Sequence, residues 1–316
     1  MDTPRQTNAS THAGFWVRLG AFLVDVVVLG VIGWIVGSIF YEVLIGFTWE
    51  SRIIGAVITG AYVVVLNSHI GNGSTLGKRI FKLQVLGVDG RTISLQRSAV
   101  RYVVLFFPFF MNGIQLPANV LSNSGLLAVS GTALSVLIFG TAAAIVYLVV
   151  FNKRNRRSLH DLVSSTVVVR RDNDLSSIDL RVAKVHVYAL GVLLTTVAVL
   201  PAVFLARVDS DTLESITDVY EDVRSVDGVI DASVWRTKQW FDSAKSDGST
   251  VTYITVSARL SSVPEDPKQK ADSIYSIVQR RPESLDGTKA VVVSLNWGFD
   301  IGIASQYATW TEQYPN

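Results

Sequence analysis

Arg18 and Asp25 stand seven residues apart in "GFWVRLGAFLVDVVVLGVIGWIVGSIF", a stretch that is otherwise almost wholly apolar. On a helix that spacing is about two turns, so both side chains share one face, about 10.5 Å apart along the axis. A charge at mid-membrane costs about 2.5–3.5 kcal/mol on insertion scales, and each Leu, Ile, Val or Phe returns about 0.3–0.6. The run has apolar residues enough to offset one deep charge and still insert. Arg18 lies near one end and can snorkel towards lipid phosphates. Asp25 is short and deeper, so it needs protein partners. Two chemistries suit it. The carboxylate can tie helices together by accepting bonds from hydroxyl, amide or cationic neighbours, or it can take up a proton or a cation on a polar path.

Other reactive residue types form no catalytic pattern. "GNGSTLGKR" has the flavour of a phosphate loop, but only three residues separate Gly73 from Gly77, and Arg79 follows Lys78 where Ser or Thr is needed. Lys78, Arg79 and Lys82 are better suited to anionic lipid headgroups, at about 1 kcal/mol each. His12, His69, His160 and His186 lack metal-ligand spacing, and the chain has no cysteine. "NKRNRR" flanks an apolar run and reads as a membrane-edge cluster rather than a nucleic-acid contact. No enzyme, cofactor, metal or nucleic-acid partner is expected.

The elements that must position these residues are membrane helices. Hydrophobic residues make up 49% of the 316-residue chain and charged ones 17%, with mean hydropathy +0.37, against about 25% charged in soluble domains. Five runs approach or exceed the roughly 20 residues a crossing needs: 15–45, 53–70, 100–121, 125–151 and 185–206. Pro108, Asn112, Gln115 and Pro117 should kink the third. The N-terminal end and residues 67–101 and 151–184 hold 16 Lys and Arg, whereas the loops on the other side hold Arg52 alone. Cytoplasmic loops retain such residues. The N-terminus is therefore expected inside, and an odd number of crossings puts residues 207–316 outside. Net charge is +8 up to residue 206 and −6 beyond it, which marks separate domains.

Between the second and third runs, "RIFKLQVLGVDGRTISL" alternates apolar and polar positions up to Asp89-Gly90, which predicts a hairpin at the membrane surface; an interfacial helix is the alternative. In the tail, "DTLESITDVYEDV" has a helical apolar face, and "GVIDASVW" and "TVTYITVSARL" read as strands. Pro264 and Pro267 open a second helix, and "KAVVVSLNW" and "FDIGIASQY" form a hairpin about Gly298. The order αββαββ predicts an antiparallel sheet with helices on one face. Trp235, Trp240, Trp297 and Trp310 are expected mainly in core or interface packing.

"GFWVRLGAFLVD", "GNGSTLGKRIFKLQVLGVDG" and "RRSLHDLVSSTVVVRR", in this order and spacing, resemble the RDD family of membrane proteins, named for one Arg and two Asp. The resemblance covers about residues 14–171. It places the family's Arg on Arg18, its first Asp on Asp25 and its second on Asp161. Leu76 departs from the Pro common before Gly-Lys-Arg, which puts the turn geometry there in question. The family's usual suggested function is ion transport. On this basis Asp161 should pair with Arg18 at the cytoplasmic mouth with His160 close by, and exchanging the two charges should rescue what each single reversal loses.

The expected architecture is an α-helical multi-pass membrane bundle, four helices plus a fifth, followed by a small α+β (αββαββ) extracytoplasmic domain. Its parts are a cytoplasmic tail (1–13), an RDD-type four-helix domain (14–171), a cytoplasmic linker (172–184), the fifth helix (185–206) and the outer domain (207–316). The expected function is ion or small-solute transport in the cell membrane using the intramembrane carboxylate. A homo-oligomer is expected, because one small bundle leaves little room for a path. The alternative is a non-transporting scaffold or envelope sensor whose outer domain binds a protein partner.

Overall fold

The computed structural model describes residues 13–114, 124–153, 156–171, 181–205, 210–240, 250–281, 285 and 287–316. Most of the expected N-terminal tail, the end of the third apolar run and most of the 172–184 linker lie outside them. The chain divides into two compact units: Met1–Ile32 with Gly55–Ile114 and Ala128–Val203, and Gly33–Ile54 with Gln115–Leu127 and Phe204–Asn316.

Among the described residues, three helices are long and apolar enough to cross a membrane: Phe15–Ile39, Trp49–Asn67 and Val129–Phe151. The first is α1 (Phe15–Ile39). The second is α3 (Arg52–Asn67) with the 3-10 turn Trp49–Ser51 before it, and a short α2 (Tyr41–Leu44) lies between them. The third joins α6 (Ser124–Ser135), a π turn at Val136–Gly140 and α7 (Thr141–Phe151). Val27, Val31, Ile35, Val57 and Val146 on these helices stay exposed, as side chains facing acyl chains would.

In the first unit the third apolar run forms α5 (Leu95–Met111), which starts on the cap where Ser94 Oγ accepts from Arg97 N–H. It carries Pro108 inside and ends where Asn112 N–H reaches the Pro108 carbonyl. The last apolar run forms α9 (Lys184–Leu205). It packs on the π turn, where a Cβ at Gly140 would lie 2.8 Å from Leu194 Cδ2, and His186 Nδ1 meets Tyr147 OH at 3.1 Å.

Four short elements complete this unit: α4 (Leu76–Ile80), β1 (Leu83–Gly87), α8 (Leu159–Val163) and β2 (Thr166–Arg170). The expected β1 strand forms, but not as a hairpin. Its antiparallel partner is β2, from Leu83 opposite Arg170 to Gly87 opposite Thr166. The Asp89-Gly90 turn closes at once, with Gly87 N–H to the Arg91 carbonyl at 2.8 Å. Ser94 then caps α5, leaving no length for a returning strand. "TVVVR" fills the vacancy, and its three valines are all buried.

The second unit holds α10 (Ser210–Arg224), β3 (Val229–Trp240), β4 (Thr250–Leu260), α11 (Pro267–Gln279), β5 (Thr288–Asp300) and β6 (Ser305–Pro315). The element order is the expected αββαββ. The sheet, ordered β3-β4-β5-β6, is mixed rather than antiparallel: β4 and β5 run parallel. A helical crossover such as α11 delivers the next strand in the same direction, whereas a tight turn reverses it. Val219, Val223, Ala271, Ile274 and Val278 of the two helices pack on Ile254, Val256, Val291 and Val293, so both helices cover one face. The last hairpin turns at Ile301–Ala304, where Ile301 N–H meets the Ala304 carbonyl at 3.0 Å, instead of at Gly298. Gly298 stays in the strand at φ 146°, where a Cβ would strike the Gln306 carbonyl. Trp297 packs against the core, Trp235 and Trp310 are exposed, and the Trp240 side chain lies outside the described residues.

This unit also includes Gly33–Ile54. Phe299, Leu44 and Ile301 form a buried cluster, and the Phe299 ring lies where a Cβ at Gly37 would be. Arg52 Nη2 donates to Asp300 Oδ2 at 2.6 Å, and Ser51 Oγ donates to the Asp300 carbonyl at 2.7 Å.

Candidate functional site

Two buried polar centres sit in the first unit. The first is Asp161, which is fully buried. It is the third residue of α8, and Ser158 N–H just before that helix donates to its Oδ2 at 3.0 Å. A carboxylate there suits a helix start. Arg18 Nη1 reaches the same oxygen at 3.3 Å, while Arg101 Nη1 from α5 and Thr166 OH from β2 donate to Oδ1. Burial alone would raise the Asp161 pKa, but the charge of Arg101 foremost outweighs it and holds the carboxyl below its usual range.

Arg18 spends three further donors on backbone carbonyls: Ala13 at 3.2 Å, Arg156 at 2.8 Å and Val168 at 3.1 Å. One guanidinium thus fastens the start of α1 to both sides of α8. Arg157 donates to the Asp161 and Thr166 carbonyls. His160 is buried beside the carboxylate, Nε2 to Oδ1 3.7 Å, and burial lowers its pKa to about 3. It is a neutral neighbour and not a third cation.

Asp25 lies apart from this cluster. Its Oδ1 accepts from Tyr62 OH at 2.7 Å and Gly77 N–H at 2.8 Å, and its Oδ2 accepts from Thr75 OH at 2.6 Å. The carboxylate therefore holds α1, α3 and the α4 loop together. Thr75 Oγ1 also caps α4 by accepting from Lys78 N–H. Gly77 is needed because a Cβ there would fall 1.9 Å from the Ala21 carbonyl oxygen.

The cations expected at lipid headgroups divide. Arg79 and Lys82 are exposed, with Arg79 also donating to the Ser74 and Gly71 carbonyls. Lys78 turns inward, and its Nζ donates to Oδ1 of the buried Asn67 at 2.9 Å. Burial lowers its pKa to about 8. Beside it lies a cavity of about 50 Å³ whose polar lining is Asp25, Asn67, Thr75, Lys78, Arg101 and Tyr102. A water needs about 10–15 Å³, so the space suits a few waters or one small ion.

Residues 12–165 match the model of the family described as "RDD family". That stretch of the chain is an RDD family domain. It is also similar to the uncharacterised protein YckC of Bacillus subtilis strain 168, with 24% identity over 161 residues, 51% of this chain and 86% of the relative. No solved structure matches the chain.

Within the RDD domain the departure at Leu76 has a clear consequence. Leu76 N–H donates to Tyr62 OH at 3.1 Å, a bond a proline could not make. The turn itself is intact around the Thr75 cap. Sequence reasoning passed over Arg101, Arg157, Tyr62, Thr75 and Asn67. In the sequence Arg101 reads only as loop charge. The signal is its place about two turns into a Ser94-capped helix, where a side chain points back along the bundle instead of out of it.

Proposed function

We propose that this is a cell-membrane protein that moves a small ion or solute through its RDD domain, with the cavity beside Asp25 as the binding point. The carrying observation is that cavity: ionisable Asp25, Lys78 and Arg101 line one small space among apolar helices. Asp25 serves the tie and the path together. By holding Thr75 and Gly77 it keeps the α4 loop, and with it Lys78, against the cavity, so release of this loop would open the inner mouth. The Arg18–Asp161 cluster braces that mouth.

In this reading the RDD bundle has four crossings and α9 is a fifth. The basic loops lie in the cytoplasm with Arg79 and Lys82 on anionic headgroups, and the αββαββ domain lies outside. A homo-oligomer supplies the remaining wall of the path. The test is ion flux into vesicles containing the full chain. Asp25→Asn should cut flux at least tenfold while the protein remains folded in detergent. Equal flux in both proteins, or none in either, removes the proposal. The exposed Trp235, Tyr307 and Trp310 favour a second reading, a scaffold or sensor whose outer domain holds a protein partner. Crosslinking through that domain, with flux absent, would support it.

A further inference from the structure

The cavity beside Asp25 has a chemical polarity that the carboxylate conceals. Both Asp25 oxygens are occupied by three donors. Tyr102 OH, also in the lining, donates to the Ala56 carbonyl at 2.6 Å, and Thr75 OH is spent on Asp25. What remains is a set of donors. Asn67 is 1% exposed, and among the described residues its amide nitrogen meets no acceptor, its oxygen being taken by Lys78. Arg101 is 4% exposed and uses Nη1 on Asp161 and Thr166, while its Nε and Nη2 meet no acceptor among the described residues. Lys78 has three N–H donors against the one good acceptor at Asn67 and a long contact of 3.5 Å to Thr75.

The charges agree with the donors. Arg18, Lys78 and Arg101 set three cations against Asp25 and Asp161 in one electrostatically linked group, and His160 is neutral. A surplus positive charge in a low-dielectric interior is costly unless something neutralises it. A bound cation would add to the surplus and would find only the one acceptor site that Thr75 leaves on Asp25 Oδ2. An anion would relieve the surplus and supply the missing acceptor.

We propose that this cavity binds one small monovalent anion, of halide or formate size, between Lys78, Asn67 and Arg101. As cargo the anion rests on the transport reading above; as a bound ion it does not. A space of about 50 Å³ suits an ion of that size better than one as large as gluconate.

The experiment is thermal unfolding of the full chain in detergent, exchanging sodium gluconate for sodium bromide at constant sodium and ionic strength. Bromide should raise Tm saturably by a few degrees. Lys78→Gln should weaken the apparent bromide affinity at least tenfold. Asn67→Asp places a carboxylate in the space itself, so it should raise Tm in gluconate and erase the bromide response, which also shows that the variant folds. No bromide response in the natural protein overturns the proposal. So does a response that follows sodium against choline, or one unchanged in both variants. Sodium flux in vesicles without any bromide effect would leave the transport reading standing and sink this one. A saturable bromide effect without flux of any ion would do the reverse.

Discussion

At Asp161 a single carboxylate meets Arg101 on Oδ1 and Arg18 on Oδ2, with the Ser158 amide and the Thr166 hydroxyl donating beside them. Removing its charge leaves buried guanidiniums facing one another, which typically costs about 3–5 kcal/mol. Asp161→Asn should therefore reduce the folded yield or lower Tm far more than Arg18→Gln, as thermal unfolding in detergent would show. The expected rescue by exchanging Arg18 and Asp161 also changes. An Arg at 161 would face Arg101 and Arg157, so the double exchange should stay unfolded despite the 3.3 Å contact between Arg18 and Asp161. The Arg18–Asp161 contact was legible because the family resemblance names both residues, whereas Arg101 was hidden by bookkeeping that treats every loop cation alike. His160 supplies a pH signature. Its folded pKa of about 3 lies below the ordinary 6.5, so the unfolded chain binds the extra proton between these values. Stability then falls as pH falls through that window, by up to about 1.4 kcal/mol per unit. Denaturant midpoints at pH 7, 6, 5 and 4 should show this slope, reduced in His160→Gln; an equal slope in the variant would remove His160 as its cause.

The α4 loop shows what an element of five residues can do when its ends are fixed. Thr75 caps it, Asp25 holds its first turn from α1, and Gly77 lets it lie on the Ala21 carbonyl. Gly77→Ala should cost about 1–3 kcal/mol for the forced overpacking and release Lys78 from Asn67. Leu76→Pro loses only the bond to Tyr62, about 1 kcal/mol, because a first helical position tolerates proline. Unfolding midpoints should rank natural, then Leu76→Pro, then Gly77→Ala, and the reverse rank would contradict this role for the loop. Element types were largely readable from apolar spacing here; partners were not. The alternation in "KLQVLG" announces a strand, yet nothing local states that its mate is "TVVVR" some eighty positions on. The parallel β4–β5 pair was missed for a related reason: strand direction follows from the connection, which periodicity does not record.

At the scale of the whole chain, the apolar runs carry most of what was legible, because bilayer thickness acts on composition rather than on contacts, and three of them form helices long enough to cross. The bundle's polar interior was far less visible. Asn67, Tyr62 and Thr75 are ordinary residues in sequence and become a site only when three helices and a loop converge on Asp25. Topology has a direct check in a chain without cysteine. Gln96→Cys and Ser262→Cys both stand exposed, and an impermeant thiol reagent applied to intact cells should label the second and spare the first. Labelling of Gln96→Cys alone would invert the assignment.

The most direct measurement places a lone cysteine at Asn67 and follows its reaction with a small charged thiol reagent in sealed vesicles of known orientation. If the cavity beside Asp25 belongs to a path that opens inward, the thiol reacts from the cytoplasmic side and the rate rises in Gly77→Ala, where the loop is loosened. A thiol inert from both sides, in the natural loop and in the loosened one, would contradict the account.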